Sequence, residues 1–168
     1  IHGKLGMRSS DTAELHFENV EVPDASRLGD VDMGFINTLA ILDGGRITIG
    51  ALAVGLGFAA IEQAVRYAKD RSAFGQPIGD FQAIRWMLAD MRTELEAARL
   101  LVYRAAGISD AGRPYSKEAA MAKLFANETA KAVTDMAMEI LGGYGYSAEF
   151  PIERMLRDSR GWPLAGGT

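Results

Sequence analysis

From Ile47 to Ile140 the apolar residues recur every three or four positions, and this spacing most limits what the chain can become. Ile47, Ala51, Val54, Phe58, Ile61, Val65 and Ala68 form one stripe. Ile49, Leu52, Leu56 and Ala60 form a second, so this helix is apolar on more than one side and is expected to lie between neighbours. Gly50, Gly55 and Gly57 each weaken it by about 1 kcal/mol relative to Ala, which makes sense where another backbone comes close. A second helix is predicted from about Phe81 to Ala106, with Ile84, Leu88, Met91, Leu95, Ala98, Val102 and Ala105 on one face. "DAGRPYS" interrupts it. Ser116 then reads as the N-cap of a third helix carrying Met121, Phe125, Ala132, Met136 and Ile140 and stopping at Gly142–Gly143. A short fourth helix spans roughly Pro151 to Ser159. Long helices with short connections predict an antiparallel bundle.

The first residues obey another period. In "AELHF", Ala13, Leu15 and Phe17 alternate with Glu14 and His16. Val20 and Val22 continue with opposite parity, so a turn or bulge is expected near Glu18 and Asn19. Leu5 to Val22 therefore reads as one or two strands, the end of a sheet begun upstream. The expected division is a β segment and linker over 1–30 and a helical bundle over 31–168. The chain opens on Ile1 and reads as part of something longer.

Composition narrows the chemistry. There is no cysteine, which removes disulfides, thiolate catalysis and Cys-ligated metals. No metal site is expected from His2 and His16, both near the start. A net charge of −4 speaks against a nucleic-acid partner. The longest uncharged run, Ile47 to Ile61, falls short of the roughly 20 residues a bilayer span needs.

Three further stretches are specific. "YAKDRSAFGQPIGDFQAI" (67–84), "EILGGYGY" (139–146) and "FPIERMLRD" (150–158) resemble the acyl-CoA dehydrogenases. "KLGMRSSDTAELHFENVEVP" and "LDGGRI" are similar to that family too, and all occur in its order. The resemblance implies a mainly α fold: the family's C-terminal four-helix bundle, preceded by the last strands of its middle β-domain. The family's final helix would be absent. It also implies FAD, an acyl-CoA substrate, a homo-oligomer (dimer or tetramer) and an electron-transfer flavoprotein as electron acceptor. The bacterial cytoplasm is expected rather than the mitochondrial matrix.

Carried over residue by residue, the resemblance gives Arg71 to a neighbouring subunit's FAD, where a guanidinium suits a pyrophosphate. Phe74 would pack on that cofactor and Gln82 approach it. Gly142 and Gly143 would present backbone N–H groups to it. Glu139, where the family often has Gln, keeps an acceptor but loses the donors. Thr168 closes the cofactor set. Asp43 and Arg46 match positions near the thioester. Each has a plainer reading: a surface Arg, a core Phe, a helix stop. Arg157 and Asp158 match a family pair expected to fix the helix that delivers the catalytic base.

That base is a glutamate in the family, removing the α-proton of the acyl-CoA. Its expected position holds Gly166, and the alternative position on the first helix holds Gly45. Three explanations stand open. The chemistry has diverged, for instance to loss of a β-leaving group as in desulfinase-like relatives. The tail has been altered by truncation or frameshift and misreports the parent, a helical oligomerisation or interaction module being the separate non-enzymatic rival. Or another carboxylate substitutes, with Asp43 and Glu149 as candidates.

Overall fold

The computed structural model describes residues 1–167. Three of the predicted periodicities become three long helices: α1 (Gly34–Asp70), α2 (Gln82–Asp110) and α3 (Ser116–Leu141). A fourth, α4 (Ile152–Ser159), is short and packs on α3. The contacts fix the directions. On α1, Gly50 meets Val102 of α2 while Gly57 meets Leu95, so the two helices run antiparallel. Gly50 also meets Ala122, and Tyr67 stacks near Tyr144, so α1 and the α3 end of the chain run the same way.

The α2 face is the expected one: Met91, Leu95, Ala98, Val102 and Ala105 are all buried. On α3 the expected face is only partly right: Ile140 is buried and Phe125 and Met136 pack on the core. Met121 is half exposed and Ala132 is exposed. Small residues do the packing instead, with Ala119, Ala122, Ala126, Ala130 and Ala137 at zero exposure. Alanines let α3 sit close to both α1 and α2, and large side chains would hold it off. The glycines of α1 divide on the same ground. A Cβ on Gly57 would fall 2.2 Å from Leu95 Cδ2, and one on Gly50 lies 3.1 Å from Val102 and near the Ala122 carbonyl. Gly55 faces open space. By length and composition α1 is long and apolar enough to cross a bilayer. Its small-residue face is instead inside the bundle.

The N-terminal segment differs from expectation. Among the described residues 1–33 there is no strand, only a 3-10 turn at Asp24–Ser26. A strand is defined by its hydrogen-bonded neighbour, and no described segment pairs with this one. Leu15, Phe17 and Val22 stay more than 70% exposed. The parity slip is real: Asn19 has φ +51, a left-handed kink between the two runs. Ser116 is not a cap either. It is the first residue of α3, and its hydroxyl donates to Asp43 Oδ2 on α1.

Candidate active site

The residues singled out above gather at two places near opposite ends of α1. At the C-terminal end the helix stops at Arg71, whose N–H still bonds the Tyr67 carbonyl. The chain then reverses through a two-stranded hairpin, Ser72–Ala73 against Gln76–Pro77. Its two central residues, Phe74 and Gly75, both have positive φ, +53 and +84. Such a turn favours Asn-Gly, and an aromatic there is strained by roughly 1–2 kcal/mol. The strained ring is 96% exposed, touched at its edge by Phe81 with centroids 6.2 Å apart.

From the other side comes the end of α3. Gly142 caps it with φ +59 and ψ −135, a conformation closed to side chains. Arg71, Tyr67, Gly142, Gly143, Tyr144 and Glu149 together line a pocket of about 560 Å³. Arg71 and the glycine turn, far apart in sequence, thus border the same pocket. A Cβ at Gly142 or Gly143 would touch nothing within 4 Å, so the space before that backbone is open. Phe74, Gln82 and Glu139 are exposed and lie outside this lining. Thr168 lies outside the described residues.

The second place centres on Arg46. Its Nη1 donates to Asp43 Oδ1 at 2.6 Å and its Nε to the Gly166 carbonyl at 3.3 Å. Both Asp43 oxygens are occupied, one by Arg46 and one by Ser116. Glu149 lines the Arg71 pocket instead. Gly166 has φ +70, and a Cβ there would meet only Arg46 Cγ, at 3.9 Å. At Gly45 a Cβ would meet nothing within 4 Å. Neither glycine is forced by crowding.

Two fastenings hold the segment that carries Gly166, and the sequence reading missed both. Lys123, 7% exposed, donates to the carbonyls of Pro163 (2.7 Å) and Gly167. Burial first, and the charge of Arg46 second, pull its ammonium below the ordinary lysine range. The available signal was a lysine in register with Ala119, Ala126 and Ala130 on the small-residue face. On the other side, residues 5–7 clamp α4. The Met7 N–H donates to Asp158 at 2.6 Å, Arg157 Nη1 donates to the Leu5 carbonyl at 2.8 Å, and the Trp162 indole points at the Met7 sulfur, 3.2 Å away. A Cβ on Gly6 would fall 2.4 Å from the Arg157 carbonyl oxygen, so only glycine fits. Arg157 and Asp158 are therefore not an ion pair with each other. Arg157 pairs with Glu153 at 2.7 Å, and Asp158 faces backbone. One turn of helix sets residues four apart side by side, whereas successive residues point apart.

Comparison with known proteins agrees with this architecture. Residues 32–168 match the family described as acyl-CoA dehydrogenase, C-terminal domain. A probable acyl-CoA dehydrogenase of Bacillus subtilis, YngJ, is 50% identical over 99% of this chain and 44% of its own. The mitochondrial short-chain specific acyl-CoA dehydrogenase of Bos taurus is 51% identical, over 98% of this chain and 40% of its own. The structure of butyryl-CoA dehydrogenase from Megasphaera elsdenii superposes with a TM-score of 0.97 at 44% identity, covering 99% of this chain and 44% of that one. The chain belongs to the acyl-CoA dehydrogenase family, and it spans about two fifths of the length of these relatives.

Proposed function

We propose that this chain is the helical, cofactor-facing part of a flavin-dependent acyl-CoA dehydrogenase, whose reaction is α,β-dehydrogenation of an acyl-CoA thioester. The observation that carries the reading is the convergence of Arg71 with the Gly142–Gly143 turn on one open pocket. A guanidinium is a donor a pyrophosphate needs, and the glycine turn lets backbone come close to it. Contrary to the sequence expectation, the Gly142 N–H is itself already taken by the carbonyls of Met138 and Glu139. The residues fit FAD: Arg71, Gly142 and Gly143 would hold its phosphates, the strained and exposed Phe74 would offer an aromatic face, and Gln82 and Glu139 would border it. When bound, the flavin supplies the acceptor for the two electrons leaving the substrate. A cofactor shared across a subunit boundary requires a homo-oligomer, at least a dimer. Electrons would pass on to an electron-transfer flavoprotein. The bacterial cytoplasm is our reading of the compartment. Relatives from a bacterium and from a mitochondrion match at similar identity.

Asp43 and Arg46 would face the acyl-CoA, with Arg46 steadying the Gly166 carbonyl. What this chain does not offer at 45 or 166 is a proton acceptor. Asp43, engaged through both oxygens, is a poor replacement. This favours a second reading: a flavoprotein that binds acyl-CoA and runs a reaction needing no base at 166. Anaerobic addition of butyryl-CoA to the FAD-loaded protein separates the two. Loss of the flavin absorbance supports dehydrogenation. A perturbed spectrum that keeps its intensity supports the second reading. Failure to retain FAD in any assembly contradicts both.

A further inference from the structure

Ser116 spends its hydroxyl away from its own helix. It is the first residue of α3, where no side chain caps the helix, and its hydroxyl donates across to Asp43 Oδ2 on α1. The two helices come close here: a Cβ on Gly44 would lie 3.7 Å from the Tyr115 hydroxyl. Asp43 passes the contact on. Its other oxygen receives Arg46 Nη1 at 2.6 Å, and Arg46 Nε reaches the Gly166 carbonyl at 3.3 Å. Ser116, Asp43, Arg46 and Gly166 therefore form one hydrogen-bonded line from α3 through α1 to the 160–167 segment. Each step is a bond already made between described residues, and none of them needs open space or an unpaired charge.

The geometry points to Ser116 as a positioning residue for the acyl-CoA end of the site, acting on Gly166 through Asp43 and Arg46. An aspartate carboxylate turns easily about its last bond, whose preference is broad and two-fold. A single donor would leave that turn open. A donor on each oxygen, one from α1 and one from α3, fixes the carboxylate plane, and both bonds are of the strong, charge-assisted kind. Arg46 depends on that plane. Its guanidinium is flat and rigid, so holding Nη1 decides where Nε points. The three-residue spacing of Asp43 and Arg46 makes them neighbours on one helix face, and Ser116 ties the pair to a second helix. What the link is for rests on the function proposed above, under which the Gly166 segment borders the thioester. The link itself rests on the hydrogen bonds alone.

The test is NMR of the isotope-labelled chain, reading the Arg46 Nε–H and the Gly167 amide, whose peptide unit carries the Gly166 carbonyl. Arg46→Met gives the Gly167 shift with the bond removed. Ser116→Ala should move the Gly167 amide toward that position. It should also speed exchange of the Arg46 Nε–H with water about three- to tenfold, the net worth of an ordinary hydrogen bond. Ser116→Thr, which keeps the hydroxyl, should restore both signals. On an Asp43→Ala background, Ser116→Ala should change neither. Fraying at the start of α3 alone would disturb the amides of 117–120 and spare Arg46. Ser116 is exposed, so alanine leaves the fold intact, as circular dichroism checks. Parental Arg46 and Gly167 signals in Ser116→Ala, or a threonine variant that behaves like alanine, would overturn the link. In the FAD-loaded protein, Ser116→Ala should weaken butyryl-CoA binding by a similar factor and leave FAD retention unchanged. Unaltered butyryl-CoA binding would overturn the positioning role. A chain that gives the NMR response but never retains FAD keeps the link and loses the proposed function. One that retains FAD and loses its absorbance with butyryl-CoA, yet gives no NMR response, does the reverse.

Discussion

The two ends of α1 make the sharpest comparison in the molecule. Arg71 and Arg46 sit about 25 residues apart, roughly 37 Å along the helix at 1.5 Å per residue. At the Arg71 end, Arg71, Gly142 and Gly143 border one pocket, and the nearby Phe74 backbone is strained. At the Arg46 end the cations and the backbone cradle are in place, but the carboxylate is not. The packing leaves open space before both Gly45 and Gly166. Lys123 and the 5–7 clamp still hold the 160–167 segment. Under the proposed function, holding a cofactor and moving a proton fall to different elements and different side chains.

The largest expected effect comes from making the two ends alike. Gly166→Glu should raise the rate of flavin reduction by butyryl-CoA about 10²–10⁴-fold, the usual worth of general-base assistance. The positive φ at 166 makes the substitution strained, but the space is open. No gain in stopped-flow absorbance would mean that the second reading holds.

Gly57→Ala strikes the helix between the two ends. Its new methyl must displace fully buried Leu95, costing about 1–3 kcal/mol in chemical denaturation. Gly55→Ala, which faces open space, should instead stabilise by up to about 1 kcal/mol. If both behave alike, the packing described for α1 against α2 is wrong.

Phe74→Gly relieves the hairpin and should stabilise the chain by roughly 1 kcal/mol while weakening FAD retention. Stability lost, or FAD unaffected, would remove Phe74 from the cofactor end.

The smallest effect is one of pH at the clamp. The Arg157 hydrogen bonds hold the Glu153 carboxyl below the usual glutamate range. Its contribution is therefore complete above that range and is lost as pH falls through the lowered folded value. Protection of the Met7 amide against exchange, relative to its intrinsic rate at each pH, should fall in that acid window before the bundle melts.

Much of this was legible in the residues. The α2 face could be read directly because large apolar side chains at 91, 95 and 102 mark it. The α3 face could be read only at Phe125, Met136 and Ile140, because many of its other buried positions are alanines, and alanine is also the commonest filler of exposed helix. The Arg71 and Gly142 motifs stood out in sequence, yet only the parallel course of α1 and α3 brings them together. Lys123 was hidden by its type, since a lysine in a helix is ordinarily solvated. The strand expected at 5–22 failed for a different reason: alternation records which side chains share a face, not whether a neighbour is there to pair with.

The central claim is that the pocket between Arg71 and the Gly142 turn receives FAD. Titrating isotope-labelled protein with FAD and following backbone amides tests it without any turnover. The account predicts saturable shifts at Gly142, Gly143 and Tyr144 that Arg71→Ala abolishes. Shifts confined to other parts of the chain, or an Arg71→Ala chain that responds like the parent, would contradict it.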